Sequence, residues 1–456
     1  MLIAMPSQRG LMTILAAVLT SFLIITLIFP SGRDTIHGIV RGKPQHDAPH
    51  EPPKKEEQRP KYKPTPTWTP PPVQDNFPLL ATSTPPPVPK WNAPRPNMYK
   101  EYELPTAPPL LIGFTRTWPV LLQAVTSYIT AGWPPSQIYV IENTGVQQAN
   151  ARGQLSLQNP FYLNHKILKE KLGVNVITTP TLLSFAQMQN FFLSLTYEKN
   201  WPYYFWSHMD VVAYAYEDGK PGLTGKYNEK DYKSLYELCL KALKEARTEG
   251  GRWAIRFFAY DHLALVNPKA FEDVGGWDTL IPYYLTDCDM HSRLMMRNWT
   301  NADARAGLIY DVASTLKDLS ALYRVEGVTP ELMDPNPPPP KEEKEGGKKE
   351  RREEDAMEKR DEDPNWRKWR NLVMTADKMY QHKHGDRERN TWQLGQHGGQ
   401  GEPFYYPAHG LAEAIDLITE TGREVFRRKW GHRDCDLVSG AHLKFEDAWI
   451  VEKDWR

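Results

Sequence analysis

Two stretches of the sequence place acidic side chains where they could bind a cation or move a proton. "FWSHMDVV" puts His208 and Asp210 two residues apart after an apolar run, and "LTDCDM" puts Asp287 and Asp289 at the same spacing. An imidazole and a carboxylate two residues apart can reach one divalent cation, especially where a strand ends in a turn. Such a cation neutralises the charge that develops on a diphosphate leaving group. A free carboxylate nearby can take a proton from a hydroxyl.

The elements around these residues follow a regular alternation. Four segments have the apolar pattern of strands, "LLIGFT", "IYVIENTG", "NVITT" and "YYFWSHMDVV", and segments with helical spacing separate them. This alternation predicts an α/β domain with a mainly parallel sheet covered by helices on both faces. Ligands of such sheets bind beyond the carboxyl ends of the strands. Glu142, Asn143 and the "SHMD" segment are therefore expected at the ligand edge.

The acidic pair at 287 and 289 precedes a stretch with helical spacing that contains Met290, Leu294 and Met295. We therefore expect a loop-to-helix junction there. Acidic groups at the start of a helix are favoured by the helix dipole, which is a purely structural explanation of the pair. A base or ligand role is the alternative.

Composition narrows the class of protein. Of the 456 residues, 56 are basic and 56 acidic, so the overall charge gives no indication of nucleic acid as a partner. The three cysteines match neither a disulfide-rich scaffold nor a zinc site. One bridge is possible, and Cys288 with Cys435 is the pair to test, because each lies in a "DCD" segment.

The chain also carries features of a membrane-anchored protein. Residues 11–29 are uncharged and long enough to cross a bilayer as a helix. Residues 44–109 contain 20 of the 40 prolines, and 19 of the 23 residues at 341–363 are charged. The predicted segments are a cytoplasmic tip (1–10), a transmembrane signal anchor (11–30), a disordered stem (31–109), a catalytic core (110–330), a disordered charged insertion (331–364) and a C-terminal part of the catalytic domain (365–456).

Residues 110–311 resemble the GT-A fold of nucleotide-sugar-dependent glycosyltransferases. "LLIGFTRTWPVLLQAVTSYI" is similar to the first strand and helix of that family, and "FAQMQNFFLSLTYEKNWPYYFWSHMDVV" to the helix and strand that lead to its D-x-D motif. "VGGWD", an acidic motif and Arg293 follow in the order that the family shows. The resemblance covers about 200 residues, less than half of the chain. It implies a Rossmann-like GT-A domain.

On the donor side, the resemblance implies that Glu142 or Asn143 contacts the nucleoside and that Asp210 holds a metal bridging the diphosphate. His208 stands where the family motif usually has its first aspartate. Family members often supply a further ligand from the C-terminal segment. "KWGHRDCDL" offers His432 for this, and "MYQHKHGDR" offers His382 and His384 instead.

On the acceptor side, the resemblance implies that Asp287 takes the proton of the acceptor hydroxyl, while Asp289 caps the helix and orients the site. The reverse assignment of the two carboxylates stays open. Asp287 as the base presumes an inverting reaction.

Together these features predict a metal-dependent glycosyltransferase that uses Mn2+, a UDP- or GDP-sugar donor and a glycan or glycoconjugate acceptor. The anchor and stem resemble those of single-pass type II Golgi enzymes, which implies a luminal catalytic domain. The flanking charges, Arg9 before the anchor and Arg33, Arg41 and Lys43 after it, favour the opposite orientation. The alternative function is a catalytically inactive GT-A-like, membrane-anchored binding or scaffold protein, which the substituted motif at His208 favours.

Overall fold

The computed structural model describes residues 60–64, 68–249, 251–338, 363–386, 397–403 and 406–455. The chain divides into two units, and everything below concerns the unit that starts at Thr67. The predicted anchor at 11–30 lies outside the described residues. Among the helices that are described, none combines the length and apolar character needed to cross a bilayer.

A seven-stranded sheet forms the centre of this unit, in the order β3-β2-β1-β4-β7-β6-β8. Its strands are β1 Leu110–Phe114, β2 Ile138–Glu142, β3 Asn175–Thr178, β4 Tyr204–Ser207, β6 Trp253–Phe258, β7 Leu263–Val266 and β8 Thr300–Asp303. Strand β7 runs antiparallel to both of its neighbours, and the other pairs are parallel. Two small antiparallel sheets pair β5 Val211–Tyr214 with β9 Leu308–Asp311 and β10 Thr315–Leu316 with β11 Leu332–Met333.

Helices cover both faces of the sheet. Side chains alternate between the two faces along each strand, so apolar side chains on both faces have to be buried. Leu110 and Ile112 belong to one apolar core, while Leu111 between them belongs to the other. The helices are α1 Met98–Glu101, α2 Trp118–Thr130, α3 Gln147–Ala151, α4 Phe185–Glu198, α5 Leu235–Thr248, α6 Pro268–Asp273, α7 Thr286–Met296, α8 Pro364–Gln381 and α9 Ala408–Trp430. The predicted fold class, a Rossmann-like GT-A arrangement with a mainly parallel sheet, is confirmed.

Local sequence signals account for several of these boundaries. Ser184 and Ser234 begin α4 and α5 with capping boxes, in which the serine side chain accepts from the third helical N–H. The "VGGWD" turn before α7 needs two glycines, because Gly275 and Gly276 have φ values of 82° and 74°. A Cβ on Gly276 would also lie 2.8 Å from Asn190 Oδ1.

The predicted stem boundary at residue 109 is wrong. Phe77, Leu80, Met98 and Leu104 are buried in the same core as β1 and α2. Gln158 exchanges two hydrogen bonds with the backbone of Val73, of 2.8 and 2.9 Å. Apolar side chains within the proline-rich segment thus pack on the globular unit, a result that composition alone did not indicate.

The predicted insertion at 331–364 is too wide at its start. Leu332 and Met333 form β11 and pair with β10, and α8 begins at Pro364. Residues 339–362 lie outside the described residues. Leu372, Ala376 and Met379 of α8 pack into the core that also contains β1. The C-terminal segment therefore shares its core with the sheet.

Candidate active site

The carboxyl ends of β1, β2 and β4 lie at one edge of the sheet, because these neighbouring strands are parallel. The "HMD" tripeptide forms the turn between β4 and β5 at this edge, as its position in the sequence predicted. Strand β5 pairs with β9 so that Val211 is opposite Asp311. The backbone N–H of Val312 donates to the carbonyl of Asp210 at 2.8 Å. A second carboxylate, on Asp311, is thereby held beside the first.

A lysine from the C-terminal segment bridges these two carboxylates. Lys383 Nζ lies 2.7 Å from Asp210 Oδ2 and 2.5 Å from Asp311 Oδ1. The side chains of Lys383 and Asp311 are each 4% exposed and that of Asp210 is 11% exposed. His384 Nε2 lies 3.0 Å from the other oxygen of Asp311. The segment that follows α8 thus reaches the strand edge through residues 383 and 384.

His208 connects this pair to a third carboxylate. Its Nδ1 lies 3.6 Å from Asp210 Oδ1, and its Nε2 lies 3.6 Å from Asp261 Oδ2. Burial alone would lower the pKa of His208, but the negative charges of Asp261 and Asp210 outweigh it and raise the pKa to about 10. His208 is therefore an imidazolium at neutral pH.

The loop that carries Asp261 also reaches the predicted base. The Tyr260 hydroxyl donates to Asp287 Oδ2 at 2.8 Å, and Asp261 faces His208. Ala259 and Tyr260 both adopt left-handed backbone conformations, with φ of 60° and 54°. Non-glycine residues in that region are strained, and such strain concentrates at functional sites. Asp287 is half-buried in the first turn of α7. The loop at 259–261 therefore contacts Asp287 on one side and the "HMD" turn on the other.

Asp289 has a different environment from Asp287. It is fully buried and accepts hydrogen bonds from Arg293 Nε at 2.8 Å and from Trp430 Nε1 at 3.0 Å. Lys429 Nζ lies 2.7 Å from its Oδ1. The predicted helix-cap role is wrong, because Leu285 occupies the N-cap position of α7. Asp289 instead joins α7 to α9, and no solvent-facing oxygen is left for proton transfer.

The two predicted nucleoside contacts are both occupied within the protein. Glu142 is fully buried, with its Oε1 bonded to Asn150 at 2.7 Å and its Oε2 to His165 at 2.7 Å. The Asn143 side chain donates to the Leu183 carbonyl at 2.9 Å and accepts from the Leu183 N–H at 2.7 Å. A nucleoside contact stays a prediction for both residues.

His432 lies in the segment that follows α9. Its two ring nitrogens face Asp436, at 2.8 Å, and Asp454. Cys435 in this segment forms a disulfide with Cys288 of α7. The partners of His432 are thus Asp436 and Asp454, and its place in a common metal site with His208 and Asp210 stays a prediction. The alternative histidine, His384, is the one that lies beside Asp311.

The groups around Asp210 determine whether a divalent cation could bind there. Oδ2 faces the Lys383 ammonium and Oδ1 faces the His208 imidazolium, so two cationic groups already surround this carboxylate. The residues do not fit a divalent ion while Lys383 lies there, because like charges at this distance repel. Among the described residues, three ligand atoms that lie within 4.8 Å of one another occur at His432, Asp434 and Asp436. Two of those three residues are exposed.

Three residues at this edge were missed by the sequence reasoning: Arg116, Asp311 and Lys383. Asp311 ends the apolar run "GLIYD", a strand-end position like that of Asp210, and this signal could have found it. Arg116 follows β1 in "GFTRTW"; it is buried, and burial lowers its pKa to about 10 while leaving it charged at neutral pH. No local signal distinguishes Lys383 from the other lysines of the C-terminal segment.

Several solved structures are similar to this chain. The mannosyltransferase PcManGT from Pyrobaculum calidifontis, in complex with GDP-Man and Mn2+, is 11% identical with a TM-score of 0.27, and the match covers 45% of this chain and 61% of that one. A putative glucose-1-phosphate thymidylyltransferase from Bacillus anthracis, in complex with a sucrose, is 12% identical with a TM-score of 0.26, covering 45% and 89%. The glycosyltransferase GlyE of Streptococcus pneumoniae TIGR4 is 11% identical with a TM-score of 0.22, covering 43% and 45%.

The chain spans less than two thirds of the length of the mannosyltransferase. No family model matches the chain, and no curated protein matches it. At these identities and TM-scores the comparisons identify similar structures and assign no activity. Those structures are sugar and nucleotide transferases, and this chain resembles them at the level of the fold.

Proposed function

We propose that this protein is a glycosyltransferase that moves a sugar from a nucleotide-diphosphate donor to a glycan or glycoconjugate acceptor. The observation that carries the proposal is the convergence at one sheet edge of the "HMD" turn, the strand-end Asp311 and the loop that contacts Asp287. This edge is where α/β sheets bind their ligands. Asp210 and His208 on one side and Asp287 on the other are connected through the loop residues Tyr260 and Asp261.

The donor half of the proposal rests on positive charge at the carboxyl ends of the strands. Arg116 follows β1, the strand next to β4. Burial raises the pKa of Tyr283, which lies just ahead of α7, and the positive charge of Arg116 acts against this rise. A guanidinium can form two parallel hydrogen bonds with phosphate oxygens. Arg116 is therefore our candidate for binding the donor diphosphate.

The acceptor half rests on Asp287. Its carboxylate is half-buried, and its Oδ2 accepts from the Tyr260 hydroxyl. A hydrogen bond from a tyrosine fixes the direction of the carboxylate and leaves the other oxygen available for an acceptor hydroxyl. We assign Asp287 as the general base of an inverting reaction.

A requirement for Mn2+ is not part of this proposal. The mannosyltransferase named above was solved with GDP-Man and Mn2+, which is a fact about that protein. In this chain the donor set at Asp210 does not fit a divalent ion while Lys383 bridges it to Asp311. The proposed reaction therefore has no metal-dependent step at Asp210.

We further propose that the domain works in an oxidising compartment, the Golgi lumen being the case that the anchor and stem would imply. The Cys288–Cys435 disulfide supports this, because such bridges persist in secretory compartments and are rare in the cytosol. Asn298 of the sequence "NWT" is exposed just beyond the end of α7, where a glycosylation enzyme could reach it.

The test is a screen of UDP- and GDP-sugars by thermal shift and calorimetry, followed by assay of transfer to glycan acceptors. We expect one donor to bind the wild type and the Asp416→Asn control, in which an exposed carboxylate of α9 is changed. Arg116→Gln should lose at least 10-fold in donor affinity. Binding without any transfer or donor hydrolysis would favour the non-catalytic alternative, and absence of donor binding would reject the proposal.

A further inference from the structure

The buried cation at Asp210 comes from a distant part of the chain. Lys383 is separated from Asp210 by 173 residues, and yet its ammonium lies within 2.7 Å of Asp210 and 2.5 Å of Asp311. A buried lysine next to two carboxylates is strongly positioned, since each charge would be costly in that place without the others. The arrangement is built by α8, which packs on the core of the sheet, and by the turn that follows it.

The carboxylate that Lys383 pairs with is the one where the resemblance placed a metal. Asp210 and Asp311 come from opposite strands of the β5–β9 pair, and two such carboxylates repel an anionic donor unless a cation lies between them. Divalent ions usually meet this need in nucleotide-sugar chemistry because they offset two negative charges. Here the Lys383 ammonium, in contact with both carboxylates, offsets them instead.

We propose that Lys383 is the resident cation of this site and replaces a divalent metal ion at Asp210. The ammonium neutralises Asp210 and Asp311, and so lets a diphosphate approach the strand edge without a bound metal. The part of this inference that concerns the diphosphate rests on the proposed function. The part that concerns the cation rests on the contacts of Lys383 alone.

The same contacts predict what happens when the lysine is removed. Lys383→Met keeps a side chain of similar length but leaves Asp210 and Asp311 facing each other without a cation. A pair of buried carboxylates with His384 beside Asp311 is a donor set that suits Mn2+. The variant should therefore gain a metal site that the wild type does not offer.

The experiment measures binding of Mn2+ alone to the full-length chain, from the loss of the electron paramagnetic resonance signal of free Mn2+. All variants carry Asp436→Asn, so that the exposed group at His432, Asp434 and Asp436 does not contribute. In this background we expect Asp210→Asn to leave Mn2+ binding unchanged. Lys383→Met should gain one Mn2+ per chain, and Lys383→Met combined with Asp210→Asn should lose it again.

Binding of one Mn2+ by the background chain that disappears with Asp210→Asn would overturn the inference. A folded Lys383→Met chain that gains no Mn2+ would overturn it as well. If Lys383→Met does not fold, the comparison of the background chain with Asp210→Asn still decides. No sugar nucleotide enters these measurements, so a failed donor screen would reject the proposed function and leave this result standing. With a donor in hand, chelation by EDTA should leave its affinity unchanged within 2-fold.

Discussion

Replacing Asp289, which is fully buried, with asparagine removes one negative charge from a largely buried network. The network contains two carboxylates, Asp289 and Asp278, and two cations, Arg293 and Lys429, so its formal charges cancel. Asp289→Asn leaves one uncompensated positive charge among buried groups. It also weakens the hydrogen bond from Trp430, a fully buried side chain of α9.

The size of the effect follows from the burial. Breaking a buried ion pair by removing one partner costs about 3–5 kcal/mol, because the remaining charge loses its compensation. A unit of roughly 390 residues, Thr67–Arg456, unfolds with an entropy of about 0.8 kcal/mol/K, so this cost lowers Tm by about 5 °C. The predicted cap role would have given about 1 kcal/mol.

The assay is thermal and urea unfolding of Asp289→Asn beside two matched variants. Asp287→Asn removes a half-buried carboxylate two residues away, and Asp416→Asn removes an exposed one on α9. Both controls should lie within about 0.5 kcal/mol of the wild type. Equal free energies of unfolding for all three variants would refute the reasoning and would mean that Asp289 does not hold α9 to α7.

The other predictions concern activity, the disulfide, the compartment and pH. Asp287→Asn should lower turnover by roughly 100-fold at saturating donor, with donor affinity unchanged, as loss of a general base does; full activity would reject Asp287 as the base. Cys435→Ser should lower the free energy of unfolding by about 2–4 kcal/mol, measured by urea titration in an oxidising buffer, and a reducing buffer should not lower it further; Cys239→Ser keeps the bridge, so its free energy of unfolding should fall in the reducing buffer as that of the wild type does. If the domain is luminal, mass spectrometry should find a glycan on Asn298, and protease added to intact microsomes should spare the domain; digestion would support the orientation that the flanking charges favour. Burial would raise the pKa of Asp278, but the hydrogen bond and charge of Lys429 lower it. The resulting stability is present above the ordinary pKa of about 4 and is lost as the pH falls through the lower folded value, so Asp278→Asn should show a shallower loss of stability below pH 4.

The fold was predictable because its signals are local. The apolar runs that became β1, β2, β3 and β4 alternate with helical spacing, and that pattern depends on a few neighbouring residues at a time. The position of His208 and Asp210 at the end of a strand followed from the same pattern. The burial of Phe77 and Leu80 did not, since the surrounding prolines make the segment appear extended and the core that buries these two side chains is formed by residues distant in sequence.

The site was predictable only in part because its partners are distant in sequence. Lys383 reaches Asp210 across 173 residues, and no property of "QHKHG" marks the lysine for that contact. The ion pair between Asp289 and Arg293 was predictable from the sequence. Arg293 lies four residues after Asp289, which is the spacing of an ion pair along one helix face. What could not be foreseen was that α9 would cover this pair with Lys429 and Trp430.

The bridge between Cys288 and Cys435 also determines how the chain responds to a protease. The two cysteines are 147 residues apart, and the interval contains the lysine- and arginine-rich residues 341–363. A cut at any peptide bond in that interval leaves two fragments that remain covalently joined. A nicked protein should therefore migrate at the mass of the intact chain on a non-reducing gel and separate into two bands when reduced. Intact mass on a non-reducing gel is consequently no proof that this chain has escaped cleavage.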